Sequence, residues 1–216
     1  MALHVMDFSL SSILTSLITM SVIAVFAAIF VDFIKYDRKS AVKKSKRSIV
    51  ATGSMIGFYA VYYLVLRFEI GGLPVYNPYI EDNVINVAMV TEDTAIVLGL
   101  IGTSMIIAGA VINIVGRLQL KSNWANHIKI YEDQRLIVSG IYRLVRHPLY
   151  ASIMLMLFGG SVAYRNWLSG AMTAFVFIPF MYYRAKQEET LLQEEFVKYV
   201  EYKGTTGMFF PKLWRQ

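Results

Sequence analysis

The sequence contains no cysteine and little charge. The absence of cysteine excludes a disulfide scaffold and any cysteine-ligated zinc or iron–sulfur site. Only 17% of the 216 residues are charged, 56% are hydrophobic and the mean hydropathy is +0.49, whereas a soluble domain is about 25% charged. These values argue against a water-soluble globule and against a disordered chain.

Several catalytic motifs are also missing. The sequence contains no GxGxxG after a strand pattern, no GxxxxGK[ST], no HExxH and no GxSxG. His4, His127 and His147 lie far apart without metal-ligand spacing, so no metal site is predicted. Strand–helix alternation is absent as well, which excludes a soluble dinucleotide-binding domain.

Five apolar runs dominate the chain. A membrane-spanning helix needs about 20 apolar residues, and the runs cover 10–34, 49–66, 94–115, 149–162 and 167–183. No Lys or Arg precedes the first run, and the run exceeds the apolar core of a signal peptide, so we expect a retained helix. Residues 164–166 predict a tight turn between the last two runs. The pattern predicts an all-α integral membrane protein with five transmembrane helices.

The basic residues are distributed asymmetrically among the connections. Of the 21 Lys and Arg residues, seven lie between spans one and two, six between three and four, and six after span five. The positive-inside rule therefore predicts an N-terminus outside and a C-terminus in the cytoplasm. The net charge of +6 is then explained by topology and contact with anionic membrane lipids, and no nucleic-acid partner is predicted.

Small residues at four-residue spacing predict close packing between helices, because they let backbones approach. The predicted pairs are Gly53 with Gly57, Gly99 with Thr103, and Ser104 with Ala108. Such stripes can pack within one bundle or between two, so they do not predict the oligomeric state.

The connection from 117 to 148 is too polar to span a membrane. Alternating residues around an acidic turn at 128–138 predict a short hairpin or an extended loop. Pro148 is suited to the first turn of a helix and pushes His147 out of helical geometry, so His147 is expected at the mouth of span four beside free N–H groups. The bland alternatives are a capping role for His147 and a lipid-phosphate anchor for Arg146.

A second polar cluster follows span five. Arg184 and Glu188 are four residues apart and share a helix face, either as a surface ion pair or as groups facing the bundle interior at the membrane boundary. The segment predicts an amphipathic helix that continues span five. Residues 207–214, rich in aromatics, predict an anchor at the membrane interface.

Taken in order, these motifs resemble a known family. The segment Leu136 to Tyr142, the run Arg146-His147-Pro148-Leu149-Tyr150, an apolar hairpin, Arg184 with Glu188-Glu189, and then Tyr199, Tyr202 and Pro211 resemble the isoprenylcysteine carboxyl methyltransferases. More broadly, they resemble integral-membrane methyltransferases that include phospholipid N-methyltransferases. The resemblance covers about 117–214. It divides the chain into 1–116, with three N-terminal transmembrane helices, and 117–216, the methyltransferase-like region.

The family resemblance implies an S-adenosylmethionine pocket on the cytosolic side and a lipophilic methyl acceptor that enters from the bilayer. It implies that Arg184 faces the acceptor and that Glu188 takes a polar group of the cofactor. A further contact is implied around His127. The other implied cofactor-binding residues are Gln134, Arg135, Leu136, Ile137, Tyr142, His147, Pro148, Leu149 and Tyr150.

Several functions stay open at this stage. The favoured one is carboxyl methylation of a prenylated cysteine or a small analogue, in the cytoplasmic membrane, with the active site facing the cytoplasm. An amine acceptor, as in phospholipid N-methylation, would need a base, for which His147 or Glu188 could serve. An NADPH-dependent membrane reductase of the sterol-reductase type and a non-enzymatic membrane protein are the remaining alternatives.

Overall fold

The structure is a computed structural model that describes residues 2–35, 42–46, 49–73, 90–123, 128–131 and 134–212. Most of the described chain is helical, with one small two-stranded ribbon. The elements are α1 (Ala2–Lys35), β1 (Val42–Lys46), α2 (Ile49–Arg67), α3 (Glu92–Leu120), β2 (Ile128–Tyr131), α4 (Pro148–Ala163), α5 (Trp167–Met172), a π-helical turn (Thr173–Phe177), α6 (Ile178–Glu195) and α7 (Tyr199–Thr205).

Each predicted apolar run forms a helix, and the helices extend beyond the runs. By length and composition, Leu10–Asp32 and Glu92–Leu120 are long and apolar enough to cross a membrane, while Ser54–Arg67 and Pro148–Ala163 are shorter apolar helices. The fifth run lies in one continuous helix made of α5, the π-helical turn and α6, called the fifth helix below. In the π-helical turn, the N–H of Ile178 bonds the carbonyl of Thr173, just before Pro179, which has no N–H to donate.

The connections meet in two groups at opposite ends of the helices. After α2, the Leu73 N–H donates to the Arg165 carbonyl at 3.0 Å, and the Trp167 N–H donates to the Gly71 carbonyl at 3.1 Å. These bonds join the connection after α2 to the predicted turn at 164–166. At the other end, β1 pairs with β2 and joins the connection after α1 to the connection after α3. Two of the basic connections therefore lie together.

Of the two alternatives predicted for 128–138, the hairpin is wrong, while an extended loop fits residues 134–138. Residues 128–131 form β2, which pairs antiparallel with β1, with Lys46 opposite Ile128 and Lys44 opposite Ile130. Residues 134–138 have no regular structure. The alternation in the sequence was a genuine strand signal, but the partner comes from the connection after α1. The predicted all-α fold class is confirmed apart from this small ribbon.

The closest helix packing runs along a glycine seam between α3 and α4. Gly102, Gly109 and Gly116 recur every seven residues on α3. A Cβ added at Gly102 would lie 2.4 Å from the Gly159 carbonyl oxygen, and one at Gly109 would lie 2.8 Å from the Ser152 carbonyl oxygen. Only glycine permits backbones to approach this closely.

The small-residue pairs predicted from the sequence mostly lie elsewhere. A Cβ added at Gly57 would meet nothing within 4 Å, and Ser104 and Ala108 are exposed. Gly99 faces Leu14 of α1. The predictions at Gly57 and at Ser104 with Ala108 are corrected, whereas Gly99 and Thr103 are both buried, as a packing pair requires. The main seam follows a seven-residue repeat, because successive residues at that spacing stay on one face of a helix.

Aromatic side chains pack α2 against the fifth helix. Tyr62 and Phe177 are buried in a cluster with Met154, Leu157 and Met181. The rings of Phe58 and Phe177 are 5.0 Å apart between centroids, a separation typical of favourable aromatic pairs. The cluster precedes the polar residues of α6 along that helix, and its packing places them against the start of α4.

Candidate active site

The site is built around the first turn of α4. Pro148 opens the helix, and His147 before it has φ −123° and ψ 63°, outside helical geometry as predicted. His147 is the N-cap residue of α4, as the capping alternative predicted, but its side chain makes no capping hydrogen bond. Its ring instead stacks on Tyr150, with centroids 5.4 Å apart and planes 3° from parallel.

Glu189 is the buried carboxylate at the centre of the site. Its side chain is 1% exposed, and Arg146 approaches its Oε1 with Nε and Nη2, each at 2.8 Å. His147 Nε2 lies 3.3 Å from the same oxygen. Burial by itself raises the pKa of Glu189, but hydrogen bonds from His147 and Arg146 and the Arg146 charge outweigh it and lower the pKa to about 2. Glu189 is therefore an ionised structural partner for the Arg146-His147 pair.

Arg146 also holds the C-terminal segment in place. Its Nη1 donates to the carbonyls of Lys203 and Thr206. The N–H groups of Arg146 and His147 donate to the carbonyls of Gly207 and Met208 at 2.9 and 3.0 Å. The alternative that Arg146 anchors a lipid phosphate is wrong, because its guanidinium is buried inside the protein.

Glu188 is placed differently from its neighbour. Its side chain is 36% exposed, and its Oε2 accepts a hydrogen bond of 2.9 Å from the Tyr150 hydroxyl. The Tyr150 oxygen in turn accepts from Arg184 Nε at 3.3 Å, and His147 Nδ1 lies 3.8 Å from Glu188 Oε2. Tyr150 thus links the two predicted catalytic side chains, which lie one helical turn apart on α6. Glu188 has an open face on which it can accept hydrogen bonds from a ligand.

Arg184 lies where α6 meets α2. Its Nη1 contacts Met55 Sδ at 3.7 Å, and Met55 packs on the aromatic cluster with Tyr59 and Phe58. A guanidinium therefore sits at the edge of an apolar surface. This arrangement suits an acceptor with an anionic head and an apolar tail.

Two amide side chains, one in the last turn of α3 and one just after it, accept hydrogen bonds from the segment 134–143. Asn123 Oδ1 accepts the Arg135 N–H at 2.9 Å, and Gln119 Oε1 accepts the Ile141 N–H at 3.0 Å. Gly140 has φ +60°, which glycine adopts readily. The structure places Arg135 at the surface and leaves Gln134, Leu136 and Ile137 half-buried.

Tyr142 completes this segment. It is buried, its hydroxyl donates to the Gly116 carbonyl at 3.3 Å, and its own carbonyl accepts from the Tyr202 hydroxyl at 2.5 Å. Burial raises the pKa of the Tyr142 phenol, and the negative charge of Glu188 raises it further. The phenol is therefore a neutral donor at physiological pH.

The C-terminal segment lies against the site. Phe209 packs on the aromatic cluster, and its ring is 6.1 Å from that of His147. The interfacial anchor predicted at 207–214 is therefore corrected at Phe209, which faces inward, while Phe210 is exposed. Tyr199 is fully buried, and within the described part of the chain its hydroxyl has no hydrogen-bond partner. Trp214 lies outside the described residues.

Sequence reasoning missed the structural importance of Glu189 and Arg146. The signal was present in the helical period of α6, where Met181, Ala185 and Glu189 are all buried at four-residue spacing. The helix face that contains the apolar Met181 of span five therefore also contains Glu189. The predicted contact around His127 lies outside the described residues. Among the residues that are described, no group of three His, Asp or Glu side chains could hold a metal ion.

Comparison with known proteins gives one family match and several relatives. Residues 97–194 match the model of the isoprenylcysteine carboxyl methyltransferase (ICMT) family. The chain is 35% identical over 113 residues to protein-S-isoprenylcysteine O-methyltransferase A of Arabidopsis thaliana, covering 51% of this chain and 57% of that protein. It is 35% identical over 105 residues to a probable protein-S-isoprenylcysteine O-methyltransferase of Oryza sativa subsp. japonica, covering 47% and 55%.

A third relative carries a different name. The cobalt-zinc-cadmium resistance protein CzcN of Cupriavidus metallidurans is 31% identical over 117 residues, covering 54% of this chain and 49% of that protein. The chain spans about half the length of the curated relatives it matches. The resemblance to the isoprenylcysteine carboxyl methyltransferase family, predicted from the ordered motifs, is thereby confirmed over residues 97–194.

Proposed function

We propose that the chain is a membrane-embedded methyltransferase that uses S-adenosylmethionine to methylate the carboxylate of a lipophilic acceptor. The observation that carries this proposal is the Glu188–Tyr150–Arg184 link, which puts an open carboxylate and a guanidinium side by side. That link lies within the residues that match the methyltransferase family. The names of the plant relatives favour an S-prenylated cysteine as the acceptor.

The residues present fit the proposed cofactor. Glu188 offers a half-exposed carboxylate to an ammonium or ribose hydroxyl, and the first turn of α4 offers free N–H groups to an anionic group. When bound, the cofactor supplies a methyl group activated by a sulfonium cation. The residues proposed to line it are Gln134, Arg135, Leu136, Ile137, Tyr142, His147, Pro148, Leu149, Tyr150 and Glu188.

Arg184 is proposed to bind and orient the acceptor carboxylate. A guanidinium pairs with a carboxylate through two parallel hydrogen bonds, which fixes the direction of the nucleophilic oxygen. A carboxylate is already ionised at neutral pH, so the reaction needs no general base. The apolar surface of Met55 and its aromatic neighbours would receive the acceptor's tail.

The membrane topology is part of the proposal. Five membrane-spanning helices, with the N-terminus outside and the C-terminus in the cytoplasm, are supported by the charge distribution. They are supported independently by the grouping of connections at the two ends of the fold. The active site would then face the cytoplasm from the cytoplasmic membrane, in contact with anionic lipids.

A phospholipid amine is the second candidate acceptor, and one observation favours it. His147 Nδ1 lies 3.8 Å from Glu188 Oε2, so a proton taken from an amine by one group could be stabilised by the other. The exposed position of Glu188 makes this pair accessible to a ligand.

Calorimetric titration of the detergent-purified full chain with S-adenosylhomocysteine tests the cofactor. We expect micromolar binding that is lost in Glu188→Ala and kept in Glu194→Ala, a matched change at an exposed position of the same helix. Folded wild-type protein that does not bind S-adenosylhomocysteine would contradict the proposal. Binding of NADPH in its place would support the reductase alternative, and binding of neither would support a non-enzymatic role.

A further inference from the structure

A chain of buried polar side chains runs from α1 to α4 beside the proposed site. Asp32 of α1 accepts from Arg117 Nη1 at 3.1 Å, and Arg117 Nε donates to Asn113 Oδ1 at 2.8 Å. Asn113 Nδ2 donates to Ser152 Oγ at 2.8 Å, and Ser152 Oγ donates to the Leu149 carbonyl at 2.7 Å. Asp32, Asn113, Arg117 and Ser152 are all buried.

Each bond in this chain determines the direction of the next. Because Arg117 can only donate, it turns the oxygen of the Asn113 amide toward itself and the NH₂ group toward Ser152. The Ser152 oxygen is then an acceptor for Asn113, so its own hydrogen is directed to the Leu149 carbonyl. The ion pair between Asp32 and Arg117 thereby determines that the Ser152 hydroxyl donates to the Leu149 carbonyl in the first turn of α4.

This hydrogen-bond chain ends at the first turn of α4, which carries several of the proposed cofactor-binding residues. Leu149 lies between His147 and Tyr150. The same stretch of α3 also contacts the neighbouring segment, since the Gly116 carbonyl accepts from the Tyr142 hydroxyl at 3.3 Å. A Cβ added at Gly116 would lie 2.9 Å from Leu149 Cδ2. The last turns of α3 therefore support both parts of the site.

Attachment of α1 to α3 does not by itself require charged groups. A buried ion pair loses much of its attraction to desolvation, and well-packed apolar side chains stabilise a contact at least as well. Burying an ionisable group in the interior of a membrane protein costs free energy, and such groups typically have a function. Asp32 also lies outside residues 97–194, the part of the chain that matches the family model.

We infer that Asp32 and Arg117, acting through Asn113 and Ser152, are positioning residues that hold the first turn of α4 in its cofactor-binding geometry. This inference rests on the proposed function. It extends the site to α1, so that the N-terminal helix takes part in binding through a defined hydrogen-bond chain and not only as a hydrophobic span.

Ser152→Ala and Ser161→Ala form a matched pair that tests this role. Both serines are buried in α4 and both hydroxyls bond a carbonyl of the same helix, but only Ser152 lies at the site. We expect Ser152→Ala to raise the Kd for S-adenosylhomocysteine by roughly threefold to tenfold, the effect of losing one oriented hydrogen bond. Ser161→Ala should bind like wild type, with a similar decrease in melting temperature.

The double variant Asp32→Leu/Arg117→Met tests the ion pair itself. We expect it to fold, because an apolar pair replaces a buried ion pair, and to lose about as much melting temperature as Ser161→Ala, because Asn113 Oδ1 loses its donor. Its KM for S-adenosylmethionine should still rise. Wild-type affinity in both this variant and Ser152→Ala would overturn the inference while leaving the proposed function intact. Absence of binding in the wild type would overturn the proposed function itself.

Discussion

Two adjacent glutamates of α6, Glu188 and Glu189, have different environments and therefore different proposed roles. Glu189 is 1% exposed and accepts from Arg146 and His147, so its charge is neutralised inside the protein. Glu188 is 36% exposed and accepts a hydrogen bond from the Tyr150 hydroxyl. A helix rotates neighbouring residues by 100°, which directs one of these side chains inward and the next toward the exposed side of the site.

The lowered pKa of Glu189 predicts a stability loss in acid. The group has an ordinary pKa of 4.5 and a folded pKa of about 2, so its stabilisation is fully present above 4.5 and is lost as the pH falls through 2. Wild-type protein should therefore lose thermal stability across this window. The measurement is the melting temperature of the detergent-solubilised chain at a series of pH values.

Glu189→Gln provides the matched comparison for this prediction. The variant should melt at a lower temperature than wild type at pH 7, because Arg146 keeps a buried charge without its partner. The difference should shrink as the pH falls toward 2. A difference that stays constant with pH would mean that the Glu189 charge does not stabilise the fold.

Arg184 and Glu188 should separate acceptor binding from cofactor binding. We expect Arg184→Gln to raise the KM for a carboxylate acceptor by roughly tenfold to hundredfold, the effect of losing charged hydrogen bonds, with unchanged affinity for S-adenosylhomocysteine. Arg184→Lys should be intermediate, because an ammonium cannot form the two parallel bonds of a guanidinium. Steady-state kinetics with each substrate varied in turn provides the measurement, and equal effects on both KM values would contradict these roles.

At the scale of the elements, the glycine seam predicts opposite effects for two glycine substitutions. Gly102→Ala would place a Cβ 2.4 Å from backbone atoms of α4, so it should destabilise the fold by about 1–3 kcal/mol. Gly57→Ala meets open space and should stabilise α2 by about 0.5–1 kcal/mol. Thermal unfolding of both variants checks the prediction, which fails if Gly102→Ala melts like wild type.

The helices could be predicted from hydropathy alone, while their packing could not. Apolar runs of sufficient length report local structure, and every predicted run forms a helix. The glycine seam depends on which face of α3 meets α4, a property of the tertiary structure that the four-residue pairs did not report. The β1–β2 pairing was missed for the same reason, since two connections far apart in sequence come together only when the bundle forms.

The candidate site was predictable where a residue's role follows from local geometry. Pro148 implied the start of α4 and the non-helical backbone of His147, and the structure has both. The roles of Arg146 and Glu189 depend on contact between the start of α4 and the end of α6, 43 residues apart. Asp32 was visible only as one acid at the end of span one, because its partner Arg117 lies on another helix.

At the scale of the whole molecule, the two ends of the bundle differ in charge. The connections that contain β1 and β2 carry most of the basic residues, whereas the turn at 164–166 meets the connection between spans two and three, 67–93, which carries one basic residue and five acidic ones. A membrane with anionic lipids on its cytoplasmic face favours one orientation of such a bundle. If the proposed function holds, the orientation determines which compartment supplies S-adenosylmethionine.

The absence of cysteine makes this orientation directly testable. Single cysteines at Lys198 and at Tyr164, both exposed positions at opposite ends of the fold, can be labelled with a membrane-impermeant maleimide in intact cells. We expect Tyr164→Cys to react and Lys198→Cys to react only after the membrane is opened. The reverse pattern would mean that the site faces away from the cytoplasm.

The most direct test of the central claim is methyl transfer to a carboxylate. The purified chain in lipid vesicles would be given S-adenosylmethionine with a tritiated methyl group and a synthetic S-prenylated cysteine, with Arg184→Gln as the control variant. We predict incorporated label that is released as volatile methanol by alkali, because a carboxyl methyl ester is hydrolysed by base, and far less label with Arg184→Gln. Label that resists alkali and appears in a phospholipid amine, or no incorporation by protein that binds S-adenosylhomocysteine, would contradict carboxyl methylation.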